Sequence, residues 1–501
     1  LYVKQYSMIQ QQLEIPLSPY AGLYDIVVPQ DDIYRQLDRL VDFSFVYKEI
    51  GKNYSWKKGR FAEDPVRMFK YLLIKIIDKL SDRRVVANTL VNLSFKRFLR
   101  LRPEETNIID ASTLSKFRKL RFEDVDVLNV LIAKTLKIAK DNGLLKGNTI
   151  LVDATHVTAR AVRYDSKDYI IHRVNTLVRH LVKVHDWKVE DLPPRPEKDA
   201  DTAAWIQAGK ALVAYIKEQP ALRSVSVVMN LYELLEEAME DAEESSYLSM
   251  DRDAKVGHKS TEKPFFGSKV HMGVESETRL ITAAHITSGD RPDEKYLGEV
   301  VEQSRKNGME VKEVVGDKAY SSTENLEMSK KRKEENPAGE FTLYSRLHNN
   351  ITYGIRKDDG FTFNKDANTV VCPNGHLAKS KRYKKKRRGR SAAWEYSFDI
   401  NKCKECPLRE KCFKAGSKKR TYSVRELSDL HREYIKFQKT DEFKEKMRQR
   451  YKIEAKNSDL KHNCNLERAE SFGEHCLTMQ TALSVFACNI KTILRLINAK
   501  K

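Results

Sequence analysis

Apolar residues recur at helix spacing through most of the first 145 positions. After Asp64-Pro65 the stretch VRMFKYLLIKIIDKL keeps an apolar face, with proline placed where the first helical turn needs no N–H. The preceding FSFVYKEI reads as extended, and Leu80-Ser81-Asp82 reads as a break and N-cap before RRVVANTLVNL. In DASTLSKFRKLR, Ser112 or Thr113 is the expected cap. Leu114 and Phe117 then face inward, and Lys116, Arg118, Lys119 and Arg121 outward. DVDVLNVLIAKTLKIAKDNG follows, with positions 127, 128, 131, 132 and 136 on one face and Gly143 as C-cap. Residues 1–145 thus read as an all-helical domain. A short basic helix among others fits a helix-turn-helix-like DNA-binding domain, and equally a bundle with a charged outer face, because no residue at fixed spacing marks that motif.

The pattern changes at Asn148. TILVDATHV reads as a buried strand ending at the carboxylate of Asp153, and residues 162–261 as a polar, mostly helical insert. PFFGSKVHMGVES and RLITAAHITSGD form a predicted antiparallel hairpin turning at Glu275 to Thr278. A helix stopped by Gly308 follows, then the strand VKEVVGDKAYSS ending at Asp317 and a helix capped by Ser322. This order is that of an α/β fold, a ribonuclease-H-like mixed sheet built from 146–161, 262–330 and 441–501 and interrupted by two large inserts. The second insert, 331–440, holds the hairpin-like ITYGIRKDDGFTFNKD, the cysteine cluster and the basic run. The closing TMQTALSVFACNIKTILRLI reads as a core helix.

Charge sharpens the picture. Lys plus Arg is 91 against 71 Asp plus Glu, a net +20 over 501 residues, which favours polyanionic partners. Between Val371 and Arg420 lie 17 basic and 4 acidic residues, a surplus of 13. The densest run, KSKRYKKKRRGR, carries Lys384, Lys385, Lys386, Arg387 and Arg388 at its centre, and is either a solvated loop or a finger following a phosphate backbone. No stretch approaches 18 uninterrupted apolar residues, so no membrane span is expected. The opening LYVKQYSMIQQQLEIPLSPY lacks the succession of a signal peptide, and Leu1 in place of Met leaves room for a short leader.

Seven cysteines are few for this length, and an odd number fits a reducing compartment. Cys464, Cys476 and Cys488 read as buried small hydrophobes. Cys403-x2-Cys406-x5-Cys412 with Cys372 offers four thiolates for a tetrahedral structural Zn²⁺, His376 being able to replace one. A metal there would tether both ends of the basic finger; the bland alternative is reduced thiols in a loose arm.

The acids carry the candidate chemistry. Phosphodiester cleavage or joining needs an activated oxygen and a neutralised leaving group, which two Mg²⁺ ions about 3.5–4 Å apart provide when held by carboxylates. Asp153 and Asp317, each leaving a buried strand, are the first two. Glu454 is the choice for a third, although its spacing from Arg450 also describes a surface i,i+4 ion pair, and Glu467, Glu470 and Glu474 lie nearby. His156 is close to Asp153, but this chemistry needs no imidazole.

The chain resembles the bacterial insertion-sequence transposases of the DDE class, in the branch joining an InsH-like N-terminal helical domain to a C-terminal DDE domain. The likeness runs almost end to end, through DPVRMFKYLLIKIIDKLSDRRVV, IIDASTLSKFRK, LVDATHVTA, MDRDAKVGHKS, FFGSKVHMGVE, ITSGDRPDEKYL, VVGDKAYSS and RYKIEAKN. Carried over by position, its three acids fall on Asp153, Asp317 and Glu454. Its Tyr-x2-Arg-x3-Glu-x6-Lys signature matches at Arg450, Glu454 and Lys461, but Met447 replaces the tyrosine. The resemblance implies a transposase that cuts element ends and joins a 3′-OH to target DNA with two Mg²⁺ (or Mn²⁺) ions per site. Asp153 is expected to bridge the ions, and Arg450, Lys461 and Lys318 to hold phosphates; His271 and Asp293 are expected to support the core. It further implies double-stranded DNA with terminal inverted repeats and target DNA as partners, a homodimer on paired ends, and a place in the bacterial cytoplasm at the nucleoid. A metal-dependent nuclease that does not join strands, and a DNA-binding regulator with a decayed core, are the competing readings.

Overall fold

The computed structural model describes residues 14–54, 62–122, 124–161, 163–184, 187–244, 247–260, 263–347, 359–364, 366–385, 392–412, 416–425 and 428–500. The chain begins with helices α1 (Leu23–Val27), α2 (Ile33–Leu40), α3 (Phe45–Ile50), α4 (Pro65–Ile77), α5 (Asp82–Val91), α6 (Leu93–Phe98), α7 (Ala111–Arg121) and α8 (Val127–Asp141). Side chains that accept N–H groups left orphaned in the first turn start several of them: Asp32, Asp64, Ser81, Asn92 and Asp126. The expected break at Ser81 and the positive φ at Gly143 are both present.

Three local expectations fail here. FSFVYKEI is helical from Phe45, because Val46, Tyr47 and Ile50 are needed on one face against the core. The cap of α7 is Asp110, whose carboxylate accepts the Ser112 N–H at 2.8 Å, ahead of both hydroxyls proposed. Two of the four basic residues on α7 do not point to solvent. Arg118 grips Asp82 with both terminal nitrogens, and Arg121 lies 4.2 Å over the Tyr54 ring.

The sheet region follows, with β1 (Thr149–Thr158) and β2 (Arg163–Asp165), then helices α9 (Ser166–Val184), α10 (Thr202–Glu218), α11 (Pro220–Arg223) and α12 (Ser226–Glu244), and β3 (Tyr247–Ser249), which pairs with β2. Next come β4 (Lys255–Ser260), β5 (Lys263–Glu275), β6 (Ile281–Ser288), α13 (Leu297–Lys306), β7 (Glu313–Val315), α14 (Thr323–Lys330) and β8 (Thr342–Tyr344). The main sheet runs β4-β5-β1-β7-β8, with β6 also against β5. β1 is central, parallel to β7 and antiparallel to β5, and the β5–β6 hairpin is as expected. The sheet does not stop before residue 331: β8 adds a further parallel strand beyond that boundary.

The remaining strands are β9 (Thr362–Asn364), β10 (Thr369–Val371), β11 (Ser380–Lys384), β12 (Ala393–Phe398) and β13 (Arg420–Arg425), with short helices α15 (Ile400–Lys404) and α16 (Arg409–Cys412) between the last two. β9 pairs with β10, and β11-β12-β13 form an antiparallel sheet. Most of the proposed ITYGIRKDDGFTFNKD hairpin lies outside the described residues. The chain closes on α17 (Asp429–Phe437), α18 (Asp441–Arg448), α19 (Tyr451–Asn463) and α20 (Glu474–Asn498). By length and composition α20 suffices to cross a membrane, but 89% of its most apolar window is buried inside the protein. One buried cluster joins the N-terminal helices, the sheet and α20. The chain is therefore an α-helical N-terminal region followed by a mixed sheet with inserted helices, an arrangement consistent with a ribonuclease-H-like fold.

Candidate active site

Asp153 is the fifth residue of β1, not its last, because pairing with β5 carries that strand on to Thr158. On the other side, parallel pairing with β7 stops at Leu151 opposite Val315. Asp317 follows Val315 by two residues, as Asp153 follows Leu151, and its charge is one of those that act on the Asp153 carboxyl. Asp317 caps the short turn after β7, accepting the Ala319 N–H at 2.8 Å. Gly316 is required immediately before it. A Cβ there would stand 2.8 Å from the Tyr320 ring and 2.9 Å from Val152 Cγ2.

The electrostatics mark this spot. Asp153 keeps some contact with solvent, yet its dense surroundings push the carboxyl up to about 6. Burial is the largest cause; the Asp317 and Asp293 charges add to it, and the Ala154 N–H and Arg450 oppose it. Tyr320, 2% exposed, has its phenol pushed far up by burial and then by Asp153, Asp293 and Asp317. Asp293 is held by Lys269 at 2.8 Å. Behind it, burial lowers His271 to about 4, so this ring is neutral; its Nε2 meets Thr287 Oγ1 at 2.9 Å and its face stacks on Tyr296.

Helix α19 brings the tail to the same place. Asn457 Nδ2 donates to Asp153 Oδ2 at 2.9 Å, and Glu454 precedes Asn457 by three residues on that helical face. The Glu454 side chain is 61% exposed and pairs with Arg450 at 3.3 Å, as the surface-pair reading anticipated. Lys318 is exposed and Lys461 half-buried on its own helix; His156 packs against Phe265. Among the described residues no group of three or more His, Cys, Asp or Glu side chains is gathered tightly enough to hold a metal ion. The oxygens here are nonetheless hard donors of the kind a divalent cation takes. Two of the polar atoms around them are buried without a partner, Asn457 Oδ1 and Arg450 Nε. Acid spacing does not reveal Asn457; its helical offset from Glu454 is the one signal that does.

The second candidate centre is a cavity of about 360 Å³ lined by Cys372, Cys403, Cys406, Cys412, His376 and Arg420, among others. The turn CPNGH presents Cys372. Its N–H donates to the His376 carbonyl at 2.9 Å, its sulfur accepts the His376 N–H at 3.4 Å, and Gly375 takes φ +80°. Burial raises the Cys403 thiol, and Cys412, Cys372 and Cys406 raise it further, so the four sulfurs share one electrostatic neighbourhood. All four are free thiols, facing the cavity without closing on a common centre. Of the basic run, Lys384 pairs with Glu395 and Lys385 is exposed; Lys386, Arg387 and Arg388 lie outside the described residues. Of the tail cysteines, Cys464 and Cys488 are buried as expected but Cys476 is exposed.

Comparison with known proteins adds two family models. A transposase domain (DUF772) matches residues 23–120 and a transposase DDE domain matches 371–494, the latter spanning the cysteines and Glu454 but neither Asp153 nor Asp317. No curated protein matches the chain. Among solved structures, the cryo-EM structure of a piggyBac transposase synaptic complex with hairpin DNA is similar at 10% identity, over 87% of this chain and 76% of that one, with a TM-score of 0.24. Both matched regions are similar to transposase families, which supports a DDE-domain transposase of the broad superfamily.

Proposed function

We propose that the protein is a DNA transposase that cleaves element ends and joins the freed 3′-OH to target DNA. The observation that carries this reading is the register of β1 on β7. Both acids follow the last paired residues of these strands by two positions, and α19, which carries Glu454, reaches Asp153 through Asn457. Asp153, Asp317 and Glu454 are the residues to hold two divalent cations, Mg²⁺ or Mn²⁺. Such ions supply charge neutralisation at the attacking and leaving oxygens. The chain's own part is to hold and orient. Arg450 and Lys461 present cationic groups for phosphates flanking the scissile bond, and Lys318 adds a third beside Asp317. Lys384 to Arg388 supply further cations for the DNA backbone, and the four cysteines hold Zn²⁺ next to that basic run in the chain. The N-terminal helices read terminal inverted repeats, with Lys116 and Lys119 the exposed cations left on α7. Paired ends call for a homodimer.

Asp153→Asn separates binding from chemistry. The variant is expected to keep specific binding to a terminal-repeat duplex and to lose end cleavage at least a hundredfold. Cleavage at the parental rate would remove the catalytic assignment. Transfer of labelled ends into a plasmid distinguishes a transposase from a nuclease that only cuts; cut ends without joined product would favour the nuclease.

A further inference from the structure

The residue touching Asp153 from α19 is an amide. Asn457 Nδ2 donates to Asp153 Oδ2 at 2.9 Å, while its Oδ1, on the same planar group, is buried and has no hydrogen-bond partner. An ionised carboxylate only accepts, so the nitrogen must be the atom facing Asp153. The orientation of the amide is thereby fixed. Leaving a buried amide oxygen unpaired costs about 1–3 kcal/mol. A fourth carboxylate at this position would add negative charge where Asp153, Asp317 and Asp293 already oppose one another, and Arg450 offsets only part of it. A neutral side chain that donates with one atom and offers a hard oxygen with the other avoids that repulsion.

We infer that Asn457 is a fourth member of the cation site: Nδ2 positions the Asp153 carboxylate, and Oδ1 is a neutral oxygen ligand to the divalent cation that Asp153 holds. This rests on the metal-dependent reading above. A ligated Oδ1 gains the partner it lacks, and Glu454, one turn earlier on the same face, shares the load from the same helix. The amide explains why the site needs no further acid from α19.

The test is Mn²⁺ binding to the full chain without DNA, followed by electron paramagnetic resonance and read independently of cleavage. Asp153→Ala first defines the site by the binding it removes. Asn457→Ala is expected to weaken that Asp153-dependent binding 10- to 100-fold. Asn457→Asp, which restores an oxygen but not the donor, is expected to recover it to within about threefold. Because the aspartate adds like charge to the metal-free site, its Tm in chelator should fall and rise again with Mn²⁺; Asn457→Ala should show no such recovery. Unchanged Mn²⁺ affinity in Asn457→Ala would overturn the inference, as would Asn457→Asp binding as weakly as Asn457→Ala. A parent chain with no Asp153-dependent Mn²⁺ site would sink the metal reading itself, and the inference with it.

Discussion

The two candidate metal centres are built on unlike foundations. Asp153 rises from a central strand whose neighbours Ile150, Leu151 and Val152 are at most 1% exposed, inside the cluster that also holds the N-terminal helices and α20. The cysteines surround a small separate core of Phe361, Val370, Tyr396, Phe398 and Tyr422, with Cys372, Cys403 and Cys412 packed at its edge. Buried apolar area alone therefore fixes the acidic site. The cysteine segment has a much smaller core to set against the entropy of ordering its strands and turns. If the cysteines hold zinc as proposed, one centre is positioned before any ion arrives, whereas the other would take part of its shape from its ion.

Removing zinc should expose that contrast most sharply. Structural zinc is worth on the order of 10 kcal/mol to a small domain. Chelation, or Cys403→Ser, is therefore expected to speed proteolysis between residues 360 and 425 at least tenfold while leaving the main melting transition in place. Non-specific DNA binding should weaken with it. Digestion unaffected by chelator would mean that the small core suffices alone.

The sheet should break differently. Gly316→Val forces a side chain against the Tyr320 ring and Val152, where even a Cβ would stand under 3.0 Å from both. Overpacking of this kind costs about 1–3 kcal/mol, and here the strain falls on the turn that sets Asp317. Urea unfolding should show that loss, and end cleavage should fall with it. Stability equal to the parent would show that the turn relaxes freely. Asp153→Asn should act in the opposite direction on stability, raising the metal-free protein by about 1–2 kcal/mol, because the carboxylate it removes is opposed first by burial and then by Asp317 and Asp293.

How far the sequence disclosed these two regions follows from how local their signals are. ILV before Asp153 and EVV before Asp317 are short buried runs stopped by an acid, and both strands are where that pattern puts them. The second half of β1 was not legible, since ATHVT is strand only because β5 lies alongside it. β8 is three residues long, so FTLY is too short to carry a periodicity. FSFVYKEI shows the reverse, a sequence of strand-forming residues made helical by the core it enters. In DAST, three successive residue types could cap a helix and geometry chose the first. Asn457 escaped a search for carboxylates because it works through an amide. The convergence of Cys372 with the three later cysteines was legible from spacing, but whether they close on an ion lies in side-chain placement that spacing does not set.

A last test asks whether the larger region is one unit. Asp82 accepts two bonds from Arg118, at 3.0 and 2.5 Å, and stands 2.9 Å from Lys75, which also reaches Glu470 at 2.5 Å. Burial alone would raise the Asp82 carboxyl, but these cations outweigh it and hold it at about 2. The unfolded carboxyl titrates near 3.9. A folded value below the unfolded one means stability that is present in full above about pH 4 and lost as pH falls toward 2. The shift corresponds to roughly 2 kcal/mol. Urea unfolding of the parent and Asp82→Asn should therefore differ by about that amount at pH 5, and the gap should be about half as large at pH 3 and close only near pH 2 and below. Because Lys75 ties α4 to the tail, the loss should appear in the single transition that also unfolds the sheet. A separate early transition of the N-terminal helices would mean that the continuous core is two cores in contact, and that the helices can let go of the catalytic sheet while Asp153 and Asp317 stay in place.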